Sequence, residues 1–255
     1  MASDIKADPL AMIDTSTVLS LLATIVILSS AFVTSMFALE PSTSDKTRFL
    51  FVWHAFDALI HFMFEGSYLY SCFFTYVDTT VTKGLGHNST GVSEFLAPGV
   101  FFLNKPDRLY GALYGTSPVN ALWQEYAKAD KRWGGTDLTV ISLELLTVLV
   151  MGPIAVWICV CLSRRKPGSK GGSEWFWMVL LATSELYGGF MTFAPEWLSG
   201  SPNLDCSNFL FLWVYLFFFN TLWVWIPLWI LYEAYNVITT SLAESTSYLE
   251  AKKSQ

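Results

Sequence analysis

Five long apolar runs, separated by shorter polar segments, dominate the pattern of hydrophobic and polar positions along the chain. A helix needs roughly 20 apolar residues to cross the hydrocarbon core of a bilayer. Because each run reaches this length, the pattern predicts an all-α fold, an integral membrane five-helix bundle. The predicted spans cover about 16–39, 49–77, 138–162, 175–194 and 209–235.

These spans define one predicted membrane domain, residues 16–237, between a short amino-terminal segment (1–15) and a carboxy-terminal tail (238–255). The composition agrees with a membrane protein. Of the 255 residues, 53% are hydrophobic and only 14% are charged, whereas a soluble domain has about 25% charged residues. The net charge of −6 leaves no basic patch for nucleic acid, so no nucleic-acid partner is predicted.

The charges in the loops predict the orientation. Cytoplasmic loops of membrane proteins are rich in Lys and Arg, and the loop between the third and fourth spans contains Arg164, Arg165, Lys166 and Lys170. This loop and the carboxy terminus are therefore expected in the cytosol. The terminal sequence KKSQ resembles a dilysine retrieval signal, and Asn88 begins a glycosylation sequon. Together these features predict a multi-pass protein of the endoplasmic reticulum membrane.

The longest segment outside the spans, residues 78–136, is predicted to be lumenal. Its first half is rich in Gly, Ser and Thr and is expected to be an irregular loop. Near its end, residues 121–133 combine apolar and charged positions in an amphipathic pattern. This pattern predicts an interfacial helix.

Acidic residues inside the predicted spans indicate a polar site, because charged side chains at membrane depth are costly and face the bundle interior. Glu233 lies near a span end and is expected to reach solvent. Glu65, Glu144 and Glu185 lie deeper, and Asn220 lies at a similar depth. One shared polar cavity between helices would satisfy these groups together, so such a cavity is predicted.

The second span carries four titratable residues, His54, Asp57, His61 and Glu65. The spacing i, i+3, i+7, i+11 places them on one stripe of a helix, with His61 and Glu65 one turn apart. Three interpretations remain: a polar stripe that satisfies itself, a metal site, and a proton-transfer site. Metal is disfavoured, since the chain has only three histidines and bundle metal sites need more ligands. Proton transfer is favoured.

The order of short motifs along the chain resembles a known family. These motifs are IHFMFEG (60–66), LWQEYAKADKRW (122–133), LELLTVLVMGP (143–153), ELYGG (185–189) and FNTLW (219–223) followed by Pro227. Over about residues 49–235 the chain is similar to the emopamil-binding protein family, the sterol Δ8–Δ7 isomerases. The resemblance implies a five-span bundle of the endoplasmic reticulum that shifts a carbon–carbon double bond.

The resemblance also implies roles for particular residues. His61 paired with Glu65 would deliver a proton and Glu144 would remove one, although these two assignments are exchangeable. The face of Trp223 would stabilise the intermediate carbocation, and the sterol pocket would also bind cationic amphiphilic ligands. No cofactor and no metal are implied. The remaining expected substrate-binding residues are Thr147, Glu185, Tyr187 and Asn220.

Two departures from the family leave the substrate open. The stretch 80–118 makes the lumenal segment longer than expected, and Gly189 stands where the family often has an aspartate. The alternatives are an isomerase of a non-sterol terpenoid and a sterol- or amphiphile-binding membrane protein without catalysis. Lipid contact is expected in every case, and a homodimer is left open.

Overall fold

The computed structural model describes residues 14–79, 93–166, 168–169 and 171–253. The predicted glycosylation site, Asn88, lies outside these residues. The described part is mainly helical and contains one small sheet.

Five long helices form the body of the structure and are numbered here in chain order. The first is Thr15–Ala38. The second, 45–74, runs through Asp45–Leu59, a π-helical turn Ile60–Glu65 and Gly66–Phe74. The third is Leu138–Ser163 with a π-helical turn Thr147–Met151, and the fourth is Glu174–Ser199. The fifth is Leu210–Lys253, whose first part, Leu210–Phe219, is π-helical.

Shorter elements lie between the second and third long helices. Strand β1, Tyr76–Asp78, pairs antiparallel with strand β2, Arg108–Tyr110, so that Tyr76 lies opposite Tyr110. The α-helix Pro118–Tyr126 follows. Single 3₁₀ turns occupy Phe102–Asn104, Ala112–Tyr114 and Lys131–Gly134.

Three of the long helices are long and apolar enough to cross a membrane: Thr15–Ala38, Leu138–Ser163 and Leu210–Lys253. Their mean hydropathies are 2.2, 2.6 and 1.7. The second and fourth helices carry the buried acids Asp57, Glu174 and Glu185, among others. That these two also cross the membrane stays a prediction.

Side chains from all five long helices form the main core. Buried contributors include Ala31 from the first helix, Leu50 from the second, Ile158 from the third, Met178 from the fourth and Ile230 from the fifth. Each of these five residues is fully shielded from solvent. The core therefore joins the helices into one bundle, with the second helix in contact with the first and the third.

Local signals in the sequence explain where several helices begin. An Asp or Ser side chain before a helix accepts a hydrogen bond from an unpaired backbone N–H of the first turn. The described helices use this device at Asp14, Ser44, Ser117 and Asp137. Gly200, with φ of 83°, takes the left-handed conformation that ends the fourth helix.

The two ends of the bundle are distinct. At one end, called the tail end because the fifth helix extends beyond it, Lys46 forms an ion pair with Glu233. At the other, called the loop end, Lys131 N–H donates to the Asn203 carbonyl over 3.0 Å and Asp205 N–H donates to the Ala129 carbonyl over 2.9 Å. Residues 129–131 and 203–205 therefore pack together at the loop end.

The loop end differs from the sequence prediction in two respects. The pairing of β1 with β2 was not predicted, because three-residue strands leave no clear pattern in the sequence. The helix predicted over 121–133 instead spans Pro118–Tyr126, so it begins earlier and is shorter than predicted. It ends there because Asp130 accepts hydrogen bonds from the backbone N–H and guanidinium of Arg132, at 2.6–3.1 Å, which hold the chain in a turn.

One buried carboxylate at the loop end ties three helices together. Glu125, 2% exposed, accepts hydrogen bonds from Thr17 Oγ1 at 2.7 Å and Tyr215 Oη at 3.0 Å. It also accepts from Ser16 Oγ and Lys128 Nζ, each at 2.5 Å. Burial raises the pKa of Glu125. The hydrogen bonds, above all the one from Lys128, lower it by a larger amount, so the net pKa lies below its usual value.

Replacement of Glu125 by Gln is expected to cost about 1–3 kcal/mol at neutral pH, because the donors around it lose a charged acceptor. Since the folded pKa is lowered, the wild type keeps this stabilisation above the ordinary value of 4.5 and loses it as the pH falls below that value. Thermal unfolding in detergent between pH 3 and pH 7 measures both effects. The exposed Glu250→Gln variant is the control, and equal melting temperatures for the two variants at pH 7 would contradict the prediction.

Candidate functional site

The imidazole of His61 lies between two carboxyl groups in the interior of the bundle. Its Nδ1 is 2.6 Å from Glu65 Oε2, one turn further along the second helix. Its Nε2 is 3.3 Å from Asp57 Oδ1, one turn earlier, at ion-pair distance but not aligned as a hydrogen bond. His61 is 2% exposed and Asp57 is fully buried, so water does not screen these charges.

The second carboxyl group on the Nδ1 side comes from another helix. Glu144, on the third helix, is an electrostatic neighbour of Glu65. Its Oε2 accepts a hydrogen bond from Thr147 Oγ1 at 3.0 Å. Two adjacent carboxyl groups in a dry site do not both ionise, so this arrangement favours one proton shared between Glu65 and Glu144.

Local departures from α-helical geometry place these side chains. Ile60–Glu65 and Thr147–Met151 are π-helical, a geometry frequent at functional sites. A small residue brings the second and third helices together at this level: a Cβ on Gly152 would lie only 2.9 Å from the Phe62 ring. This close approach lets Glu65 and Glu144 meet.

A further carboxyl pair lies on the Nε2 side of His61. Glu185, on the fourth helix and 9% exposed, is an electrostatic neighbour of Asp57. Among the described residues, neither oxygen of Glu185 nor Oδ2 of Asp57 has a donor partner. Asp57 Oδ1 accepts a hydrogen bond from Trp223 Nε1 at 2.7 Å. The fifth helix thus also contributes to the site.

Aromatic side chains surround Trp223. Its ring centroid is 5.5 Å from that of Trp53 and 5.9 Å from that of Phe56, both on the second helix. The hydrogen bond from the indole N–H to Asp57 and these ring contacts fix the plane of the indole. A fixed aromatic face beside acidic groups is suited to a cation.

The structure brings together most, but not all, of the residues predicted from the sequence. His61, Glu65, Glu144, Thr147, Glu185 and Trp223 form one continuous cluster with Asp57. The side chain of Asn220 is hydrogen-bonded to other groups: it donates to the carbonyl groups of Tyr215 and Leu216, both at 2.9 Å, and to Tyr126 Oη at 3.2 Å. Asn220 fixes the start of the α-helical part of the fifth helix.

Two other predicted positions have different surroundings. Tyr187 is 64% exposed, and its offset of two residues from Glu185 places it on the opposite side of the fourth helix. His54 is 1% exposed, and its Nδ1–H donates to the Leu50 carbonyl at 2.6 Å. The stripe expected to join His54 with His61 is therefore interrupted, because the Leu50 carbonyl satisfies His54 one turn earlier.

Sequence analysis left the role of Asp57 open, although Asp57 is the residue that connects the fourth and fifth helices to His61. The signal was the spacing of four residues to His61, equal to that between His61 and Glu65.

Within the described ranges, no group of three or more His, Cys, Asp or Glu residues is arranged to hold a metal ion.

Replacement of Trp223 by Phe is expected to lower stability by about 1–3 kcal/mol, because the buried carboxylate of Asp57 loses a hydrogen-bond donor while the aromatic volume is largely kept. Trp225→Phe is the matched control, since Trp225 lies on the same helix and is 65% exposed. Thermal unfolding of both purified variants in detergent measures the difference. Equal stability of the two variants would show that the bond to Asp57 contributes nothing.

Comparison with known proteins adds a family assignment for part of the chain. Residues 118–234 match the family described as EXPERA, the expanded EBP superfamily. This range contains Glu144, Thr147, Glu185 and Trp223, whereas Asp57, His61 and Glu65 precede it.

Several characterised proteins are similar to this chain. A 3-beta-hydroxysteroid-Delta(8),Delta(7)-isomerase of Cavia porcellus is 30% identical over 109 residues, which cover 43% of this chain and 45% of the relative. A probable 3-beta-hydroxysteroid-Delta(8),Delta(7)-isomerase of Oryza sativa subsp. japonica is 25% identical over 184 residues, 72% of this chain and 64% of the relative. An isomeliandiol synthase of Melia azedarach is 25% identical over 134 residues, 52% of this chain and 57% of the relative.

The chain thus spans about half the length of the curated relatives it matches, and somewhat more of the rice protein. The family match covers the region from the helix Pro118–Tyr126 to the middle of the fifth long helix. Over this segment, residues 118–234, the chain is similar to the EXPERA family, the expanded EBP superfamily.

Proposed function

We propose that this chain is a membrane-embedded isomerase that moves the carbon–carbon double bond of a sterol from Δ8 to Δ7. The observation that carries the proposal is the meeting of Glu65 and Glu144, from two helices, beside the buried imidazole of His61. The names of the guinea pig and rice relatives support it.

The reaction requires one proton to be added and another to be removed. Protonation of C9 converts the C8=C9 bond into a tertiary carbocation at C8, and loss of a proton from C7 then forms the C7=C8 bond. The added and removed protons balance, and no electrons are gained or lost. General acid–base catalysis by positioned side chains is therefore sufficient for the chemistry, and each such group contributes about 10²–10⁴-fold.

The shared proton of the Glu65–Glu144 pair suits this cycle. We assign delivery of the proton to Glu65 with its partner His61, and its removal from C7 to Glu144. After one turnover the proton has moved from one carboxyl group to the other. Because the two groups are electrostatic neighbours, a single transfer between them restores the starting state.

The intermediate carbocation is stabilised by the surroundings of the cluster. The face of Trp223 contributes about 2 kcal/mol if the site is dry, and the carboxylates contribute by charge. A site complementary to this cation also binds cationic amphiphiles, which resemble the intermediate more than the substrate. Thr147 lies in the same site beside Glu144. The assignments of Glu185, Tyr187 and Asn220 to substrate binding are less direct: Glu185 lies next to Asp57, Tyr187 is exposed, and the amide of Asn220 is hydrogen-bonded elsewhere.

We further propose that all five long helices cross the membrane of the endoplasmic reticulum, with the tail end in the cytosol. The basic residues Lys46, Arg48, Arg164 and Arg165 lie at or near the tail end, as expected for a cytosolic face. Residues 78–136 then lie in the lumen with Asn88, and Pro118–Tyr126 is the interfacial helix. Residues 16–237 form one domain, followed by a cytosolic tail.

A second candidate is isomerisation of a non-sterol terpenoid. The similarity to the isomeliandiol synthase of Melia azedarach favours it. The same acid–base cluster would act on either kind of polycyclic alkene, so the two candidates differ in substrate and not in mechanism.

Replacement of Glu65 by Gln, or of Glu144 by Gln, is expected to lower turnover of a Δ8 sterol by at least about 10²-fold, because each removes one proton-transferring group. The assay is conversion by purified protein in lipid vesicles, followed by gas chromatography and mass spectrometry. Thermal unfolding of each variant is measured in parallel, so that lost chemistry is distinguished from lost folding.

Glu233→Gln serves as the matched control, because Glu233 is another acid of a long apolar helix but pairs with Lys46 at the tail end. It is expected to keep wild-type turnover. Wild-type turnover in either Glu65→Gln or Glu144→Gln would exclude the proposed roles. If the wild type converts a terpenoid alkene but no Δ8 sterol, the second candidate is correct.

A further inference from the structure

We propose that Asp57 and Glu185 form a second proton-sharing carboxyl pair, which positions the imidazole of His61 and the indole of Trp223 for the reaction without touching the substrate. This inference deepens the proposed isomerase function and rests on it for its catalytic consequence. Its structural content, the dependence of His61 on Asp57 and Glu185, holds or fails independently of the substrate.

The first step is the hydrogen-bond inventory of the two carboxyl groups. Asp57 Oδ2 and both oxygens of Glu185 are buried without a donor among the described residues. Carboxylate oxygens only accept hydrogen bonds, and buried acceptors without a donor are costly. A proton held by Glu185 and donated to Asp57 Oδ2 satisfies the pair, whereas two adjacent carboxylates would repel each other in this dry site.

The second step is the symmetry about the imidazole. Nδ1 of His61 faces the Glu65–Glu144 pair and Nε2 faces Asp57 with Glu185 behind it. With one proton in each pair, both nitrogens face an acceptor. An imidazole has donors on both nitrogens only when it is doubly protonated. The geometry therefore selects an imidazolium held between two singly charged carboxyl pairs.

The third step is the separation of roles between the pairs. Asp57 is fully buried; its Oδ1 accepts a hydrogen bond from Trp223 Nε1 at 2.7 Å and lies 3.3 Å from His61 Nε2, at ion-pair distance. It has no free oxygen for a substrate once Glu185 donates to Oδ2. Asp57 and Glu185 thus act through His61 and Trp223, in the way that outer partners orient the ligands of a metal.

The consequence is a fixed geometry at the opposite nitrogen. An anchored imidazolium keeps Glu65 in place and balances its charge during proton transfer. An anchored indole keeps its face in one orientation. Without Asp57 or Glu185 the reacting groups are present but poorly placed. The expected loss in kcat is about 10–100-fold, as for loss of the partners that orient metal ligands, and KM changes less.

The test uses conservative and non-conservative variants of one position. Glu185→Gln retains an N–H donor for Asp57 Oδ2 and is expected to keep kcat within about twofold of the wild type. Glu185→Leu has similar bulk but no donor, and is expected to lose about tenfold or more in kcat with KM within about twofold. Equal kcat in the two variants, both measured on folded protein, would overturn the proposal.

A readout without substrate separates this inference from the proposed function. With ¹⁵N-labelled histidine in detergent-solubilised protein at pH 7, nuclear magnetic resonance distinguishes a doubly protonated ring from a neutral one. The His61 signal is assigned by its absence in His61→Asn. We expect an imidazolium signal in the wild type and in Glu185→Gln, and its loss in Asp57→Asn.

The two results are independent. An imidazolium signal unchanged in Asp57→Asn would overturn the positioning role even if the wild type isomerises sterols. A signal that depends on Asp57, in a wild type that turns over no Δ8 sterol, would retain the pair and reject the sterol reaction.

Discussion

The placement of one imidazole between carboxyl groups in a nearly water-free interior is the constraint on which the site depends. In water, a charge pair at 4 Å gains only about 1 kcal/mol, whereas burial makes the same pair several times stronger. Burial also makes an unpaired charge costly. Four side chains of the cluster are at least nine-tenths buried: His61, Asp57, Glu144 and Glu185. The fifth, Glu65, is paired with His61 at 2.6 Å.

The surrounding fold supplies the positions. Gly152 allows close contact between the second and third helices, and the fourth and fifth helices add Glu185 and Trp223. At the loop end, Glu125 ties the first and fifth helices to Pro118–Tyr126, while Arg132 donates to Asp130 and to the Thr192 carbonyl at 2.7 Å. These contacts fix the helix ends at the loop end of the bundle, where residues 129–131 and 203–205 meet.

The long helices were predictable because apolar runs and capping residues are local features of the sequence. The pairing of His61 with Glu65 was predictable for the same reason, since both lie on one helix. The contacts of Asp57 with Trp223 and Glu185 were not, because they depend on how three helices pack. Likewise, the π-helical turns and the self-satisfied His54 follow from backbone geometry that composition does not encode. The motifs in the sequence predicted a resemblance to this family, and the family match supports that resemblance over residues 118–234.

The most direct test of the central claim is sterol analysis in living cells. The full chain is expressed in cells that lack their own Δ8–Δ7 isomerase, and their sterols are separated by gas chromatography and identified by mass spectrometry. The proposed chemistry predicts that Δ7 sterols appear at the expense of Δ8 sterols. Persistence of Δ8 sterols alone, with the protein present in the membrane fraction at a level comparable to that of an active control isomerase, would contradict it.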